Sequence, residues 1–392
     1  MNRLLGMAGE RTYLDYNATA PVLPGARDAA LRAIETAGNP SSVHAEGRAA
    51  RALVEEARRR IAALAGVAAD RVIFTSGGTE AAALALQPAA TGRDNLLFLA
   101  AGEHPCVLHG HGFDPADVRM IPLLADGRLD LAALESATAE AGARKITLVL
   151  QAANNETGVL QPVRAAADMM HAQGGTLVCD AVQVAGRMDC AAAVSGADLI
   201  LLSGHKMGGL KGAGALVCRT GLPDPAAALL RGGGQEKGLR AGTENVAAIA
   251  AFGAASLWAQ DRADGECERL GGLRDAFEEG LAARFADAVI FGQDAERLPN
   301  TSAFAIPGIA AETLLMALDL SGIAVSSGSA CSSGKVKASH VLEAMGVEPQ
   351  VASCAIRVSL GHGSAAADTE RLLEALETNV ERIRTRRMAS AA

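Results

Sequence analysis

Seven short apolar runs, at residues 71–75, 95–100, 118–122, 145–151, 176–179, 199–202 and 213–218, alternate with stretches whose apolar residues recur mostly at helical spacing. The runs are too short for helices and too uniformly apolar for strands with one wet face, so they read as strands buried on both sides. Buried strands separated by helical patterns predict an α/β fold, with a mainly parallel seven-stranded sheet between helices. In such sheets ligands bind beyond the carboxyl ends of the strands. The polar residues that follow each run are therefore the ones to inspect for chemistry.

The chain is longer than one such unit. Its 392 residues exceed the usual ~100–200 of a single domain. Residues 245–285 read as a long helical region with a charge-rich stretch at 261–266, and beyond it come strand-like pieces at 302–306 and 355–359 and helical ones at 312–321 and 368–385. The expected division is a large domain over residues 16–259 and a smaller α+β domain built from 1–15 and 260–392. Nearly half the residues are hydrophobic but only 3% are aromatic, so the cores should be made of Ala, Leu, Val and Ile.

Composition also narrows the partners. A net charge of −8 with acids and bases interspersed gives no basic stripe for nucleic acid and no polybasic membrane patch. There is no charge-free run of roughly 18 apolar residues and no secretory pattern at the start, which predicts a cytoplasmic protein. Seven cysteines at irregular spacing, without a Cys-x-x-Cys pair, suit reduced thiols rather than a disulfide framework or a structural zinc site.

Two strand ends carry the sharpest signal. The run at 199–202 leads into Ser203-Gly204-His205-Lys206, and the run at 176–179 ends in Asp180. A lysine at the mouth of a buried strand is suited to forming an imine, and a carboxylate at the neighbouring strand end can keep a pyridine nitrogen protonated. That pairing is what pyridoxal phosphate requires. Gln183, three residues on, is placed to donate to the cofactor's phenolic oxygen. Thr75-Ser76-Gly77-Gly78-Thr79-Glu80 is a strand, glycine turn and helix start, which offers backbone N–H groups and a hydroxyl to a phosphate. Ser203, His205 and the loop at 238–245 could add donors.

His104 follows the run at 95–100, where an imidazole can stack on a flat ring or move protons. Asn155 follows the run at 145–151 and could donate to a substrate carboxylate. Further on, Ser326-Ser327-Gly328-Ser329-Ala330-Cys331-Ser332-Ser333-Gly334 is a small-residue loop with one cysteine, a setting for a nucleophile rather than for core packing. The other six cysteines sit mostly in apolar or helical settings and read as buried thiols. Arg357 is a charge inside a strand-like run, and a substrate carboxylate in its bidentate fork would give it a partner.

These motifs, together with Tyr13-Leu14-Asp15-Tyr16-Asn17-Ala18-Thr19, Gly38-Asn39-Pro40-Ser41-Ser42-Val43-His44 and Gly232-Gly233-Gly234-Gln235-Glu236, resemble the cysteine desulfurases of the NifS/IscS type, in the class V branch of fold type I pyridoxal phosphate enzymes. The resemblance covers nearly the whole chain. It implies Lys206 as the Schiff-base lysine, Asp180 on the ring nitrogen, Gln183 at the phenolic oxygen and His104 over the ring. It implies Gly78, Thr79, Ser203 and His205 at the phosphate, with Thr243 reaching the phosphate of a neighbouring subunit, hence a homodimer. Asn155 and Arg357 would take the carboxylate of L-cysteine, and Cys331 would receive its sulfur and pass it to an acceptor such as an iron–sulfur scaffold protein. No resident metal is implied, at most a transient iron–sulfur contact at Cys331. The chain departs from the pattern at Ala81-Ala82-Ala83, where many relatives are polar. Two other readings stay open at this point: another class V activity, such as aminotransfer or selenocysteine lyase chemistry, and a non-catalytic sulfur-assembly scaffold.

Overall fold

The computed structural model describes residues 11–327 and 339–391. After a short strand β1 (Thr12–Tyr13), the large sheet is formed by β2 (Val72–Thr75), β3 (Leu96–Ala100), β4 (Val118–Ile121), β5 (Ile146–Gln151), β6 (Thr176–Asp180), β7 (Leu199–Ser203) and β8 (Gly214–Cys218). All seven coincide with the apolar runs. Their order is β2-β8-β7-β6-β5-β3-β4. Neighbours from β4 through β7 are parallel, whereas β8 runs antiparallel to both β7 and β2. The reversal has a simple cause: a parallel neighbour needs a crossover of about a dozen residues or more, and the link from Ser203 to Gly214 is too short for one. That link holds only a 3₁₀ turn, Gly204–Met207, which carries Lys206.

Residues alternate between two cores, as the period of a strand requires. Phe74, Phe98, Leu148, Leu150, Ile200 and Leu202 fill one face of the sheet, and Ile73, Leu97, Leu99, Val149, Val178 and Leu201 fill the other. Both faces are covered, so the strands are largely apolar; the edge strand β4 is partly exposed, and in β6 only the two end residues, Thr176 and Asp180, are.

A second core lies around a three-stranded antiparallel sheet of β9 (Val289–Ile290), β10 (Thr301–Ala305) and β12 (Ala355–Ser359), in the order β12-β10-β9, while β11 (Ile323–Ala324) pairs in parallel with β1. One helix, Val246–Arg284, serves both cores. Phe252, Ala255 and Ala259 pack on the large sheet, whereas Leu270, Phe277 and Leu281 pack with Leu14, Phe304 and Ile356. The charge-rich residues 261–266 lie within this continuous helix, between its two packing regions. No helix among the described residues is long and apolar enough to cross a membrane.

The close fit of β8 against the turn after β2 shapes the region beyond the strand ends. A Cβ on Gly214 would stand 2.4 Å from the Gly77 carbonyl carbon and 2.6 Å from its Cα, so the backbone approach there requires glycine. Gly214→Ala is expected to destabilise the protein by about 1–3 kcal/mol through overpacking. Thermal unfolding checks this against Gly221→Ala, whose new methyl would meet nothing within 4 Å; equal midpoints for the two variants would contradict it.

Candidate active site

A cavity of about 530 Å³ opens beyond the carboxyl ends of β2, β3, β5, β6 and β7. Its lining brings together Gly78, Thr79, His104, Asn155, Asp180, Gln183, Ser203, His205, Lys206 and Arg357. These residues come from five strand ends and from the second sheet.

The 3₁₀ turn after β7 places Lys206 so that its Nζ donates to the carbonyls of Asn17, at 2.6 Å, and Ala18, at 3.0 Å. Asp180 closes β6, and its carboxylate accepts the Val182 N–H at 2.9 Å. Desolvation pushes its pKa up to about 6, with the Val182 N–H and the Lys206 charge holding it from rising further. At neutral pH the site therefore holds a carboxylate within the field of an amine.

A second carboxyl beside them behaves differently. Glu103 is wholly buried, with one oxygen accepting the Gln151 N–H at 2.7 Å and the other without a hydrogen-bond partner among the described residues. Burial, and then the Asp180 charge, push its pKa up to about 8, so it carries a proton at neutral pH. His104 caps the short helix Pro105–Leu108, its Nδ1 accepting the Cys106 N–H at 3.2 Å. Burial and the nearby Lys206 and His340 lower its pKa to about 4, which keeps the imidazole neutral.

At the other end of the cavity, Gly78 and Thr79 open the helix Gly78–Ala85. Their N–H groups have no carbonyl four residues back within the helix to bond, a position that favours an anion. The approach is close, since a Cβ on Gly78 would stand 3.1 Å from Val182 Cγ2. Ser203 and His205 face the same space; His205 contacts the Thr19 hydroxyl at 3.1 Å, and burial lowers its pKa to about 4.

Arg357 reaches the cavity from the middle of β12. Its guanidinium donates to the Asn155 carbonyl at 2.9 Å and to Asp15 at 2.7 Å, while its buried Nε has no hydrogen-bond partner among the described residues. A buried donor left over in a cavity is one that an anionic ligand can satisfy.

Thr243 is exposed and does not line this cavity, and no other residue of the 238–245 loop lines it within the single chain. Cys331 lies outside the described residues. The structure adds three residues that the sequence reading left without a role. Asn17 links the second sheet to the site, Cys106 lines the cavity beside His104, and buried Arg187 grips Gln183 through the latter's carbonyl, at 2.5 Å, and side-chain Oε1, at 2.7 Å. Cys106 was legible only through its place two residues after His104. The other described cysteines fit the buried-thiol reading, apart from partly exposed Cys267.

A model of the aminotransferase class-V family matches residues 12–372. The chain belongs to that family. A cysteine desulfurase from Cereibacter sphaeroides is 41% identical over 384 residues, covering 96% of this chain and 97% of that one. The solved structure of a NifS-like protein from Rickettsia africae ESF-5 matches with a TM-score of 0.86 at 32% identity, over 95% of this chain and all of that one. A structure described as SspA in complex with cysteine matches with a TM-score of 0.75 at 27% identity, over 89% of this chain and 98% of the other.

The raised Glu103 pKa makes stability depend on pH. An acid whose folded pKa lies near 8, against 4.5 as the ordinary value, binds more protons folded than unfolded between those pH values. Its contribution is thus greatest below the lower value and is lost as pH rises through the upper one. Glu103→Gln, which keeps the acceptor for Gln151, is expected to gain in melting temperature relative to the wild type as pH is raised from about 5 to about 8.5. Parallel melting curves across that range would refute the assignment.

Proposed function

We propose that the chain is a pyridoxal phosphate-dependent cysteine desulfurase, working as a homodimer, that converts L-cysteine to L-alanine and holds the released sulfur as a persulfide on Cys331. The single observation that carries this reading is the convergence of Lys206, Asp180, His104 and Arg357 on one cavity at the strand ends, in a chain whose relatives include cysteine desulfurases.

The residues fit the cofactor in chemistry and in place. The close approach at Gly78, the paired charges of Asp180 and Lys206 and the unsatisfied Arg357 Nε all match a flat, phosphorylated ring that receives an amino acid. Bound there, pyridoxal phosphate supplies an aldehyde for the substrate amine and a ring that accepts the electrons left when the Cα proton departs. Lys206 would hold the aldehyde carbon, and its Nζ would take the Cα proton of a bound amino acid. Asp180 would keep the ring nitrogen protonated. Gln183 would donate from Nε2 to the phenolic oxygen, its Oε1 being occupied by Arg187. Gly78, Thr79, Ser203 and His205 would hold the phosphate, and His104 would lie against the ring.

Arg357 and Asn155 orient the cysteine carboxylate. The Cys331 thiolate attacks the substrate sulfur; a sulfur–sulfur bond forms, the substrate carbon–sulfur bond breaks, and the carbon keeps that electron pair until protonation yields alanine. In balance, L-cysteine and the Cys331 thiol become L-alanine and a Cys331 persulfide. Exposed Thr243 reaches the phosphate of the second subunit. A sulfur-acceptor protein of the cytoplasm, such as an iron–sulfur scaffold, then takes the persulfide sulfur.

The test is cysteine-dependent release of alanine and sulfide under reducing conditions by the wild type, Cys331→Ala and Lys206→Ala. Equal amounts of the two products are expected from the wild type, with a loss of about 100-fold or more in each variant. Keto acid formed without sulfide, or undiminished activity in Cys331→Ala, would instead point to transamination or lyase chemistry and sink the persulfide step.

A further inference from the structure

The thiol of Cys106 lies inside the site, and the hydrogen-bond pattern around it decides the state of His104. In His104-Pro105-Cys106, Pro105 occupies the first helical position and has no N–H, so the first donor able to reach the capping imidazole is the N–H of Cys106. That N–H lies 3.2 Å from Nδ1, and the Cys106 Sγ lies 3.0 Å from the same nitrogen. A backbone N–H can only donate, so Nδ1 must present its lone pair. The proton in the sulfur contact then belongs to the thiol.

We propose that Cys106 is a positioning residue for His104, its thiol and its backbone N–H together holding the imidazole as the neutral tautomer whose single proton is on Nε2. The inference rests on the reading of His104 as a residue of the cofactor site, and deepens it. So held, His104 offers the site an N–H donor and has no free lone pair with which to act as a base.

The surroundings support this arrangement on both sides. Burial, Asp180 and Glu103 push the Cys106 thiol up to about 12, so it keeps its proton and remains a donor, and Thr79 hydrogen-bonds the same sulfur. Lys206 and His340 are the charged or titratable groups that oppose a positive charge on His104. The sulfur thus connects the turn proposed to hold the phosphate with the imidazole proposed to lie on the ring. A high thiol pKa also separates this cysteine from any nucleophilic role, which a protonated thiol cannot fill.

The tautomer is read directly by nitrogen NMR on holoenzyme labelled at its histidines, near neutral pH, with the His104 signals assigned by their absence from His104→Gln. The wild type should show an unprotonated, pyridine-type Nδ1 and a protonated Nε2. In Cys106→Ala, which keeps the backbone N–H but loses the thiol, Nδ1 should move further toward a bare lone pair, and the ring should titrate about half a pH unit higher. Cys106→Ser, which keeps a donor, should restore the wild-type position. A protonated Nδ1 in the wild type, or Cys106→Ala spectra identical to wild type, would overturn the proposal. Melting temperatures establish that each variant is folded. Because the readout is the ring itself, an inactive wild type with the expected tautomer would count against desulfurase chemistry and not against the role of Cys106.

Discussion

The side chain of Asn17, almost completely buried, is the tie on which the site depends. Its Nδ2 donates to the Thr301 hydroxyl at 3.0 Å and to the Asn155 carbonyl at 3.1 Å, its Oδ1 accepts from Asn300 at 3.1 Å, and its N–H reaches the Ser359 hydroxyl at 2.9 Å. Its own carbonyl then accepts from Lys206 and, at 3.3 Å, from Gln183. One residue thus satisfies groups from β10, from β12, from the turn after β5 and from the two segments that follow β6 and β7. Buried polar groups are costly unless all are paired, so this cluster admits few alternative arrangements. The Arg357–Asp15 pair lies in the same seam and fixes the guanidinium that enters the cavity from the second sheet. Placement of the proposed carboxylate-binding residue relative to the proposed imine-forming lysine follows from these contacts.

Within that frame the electrostatics divide two neighbouring carboxyls into two roles. Asp180 keeps a hydrogen bond and an amine in view and stays ionised at neutral pH, whereas Glu103, enclosed and facing the Asp180 charge, stays protonated. A second negative charge beside Asp180 would compete for the same cationic partners, so a neutral Glu103 leaves the Asp180 charge to act on whatever occupies the cavity. The His340 ring contacts the Glu103 carbonyl at 2.9 Å, and the Ser339 hydroxyl reaches buried Glu156. The chain that follows the cysteine-bearing segment is therefore attached to the same wall of the cavity.

The seven strands were legible because burial on both faces removes the polar alternation and leaves uniform apolar runs. The residues that gather at the cavity were legible because strand-end position and chemical type coincide, as at Asp180, His104 and Lys206. The reversed direction of β8 could be inferred only by weighing the length of the 204–213 link, which the apolar pattern does not display. Arg187 and Asn17 were hidden for a different reason. Their partners are backbone carbonyls and side chains far away in sequence, such as Tyr16 for Arg187 and Thr301 for Asn17. Cys106 was obscured by its type, since a thiol in an apolar context usually packs, and only the capping turn reveals that its sulfur meets an imidazole.

The loop that carries Thr243 shows how a residue can be held firmly and yet outside its own cavity. Glu236 and Lys237 both adopt left-handed backbone conformations, with φ of 45° and 59°, a strain of about 1–3 kcal/mol each that the surroundings must offset. A buried clamp does so: Arg58 grips the Glu236 carboxylate at 2.7 and 2.9 Å, and the Phe74 N–H donates to it at 2.7 Å. Phe74 belongs to β2, whose end carries the Ser76–Thr79 turn, and Arg240 reaches Glu80 in the helix beyond that turn at 3.1 Å. The loop is thus anchored to the same strand and helix that would hold the phosphate, while Thr243 beyond it remains exposed. Both anchors, Glu236 and Arg240, precede Thr243, so the strained stretch is held by buried or part-buried partners up to three residues before the exposed threonine.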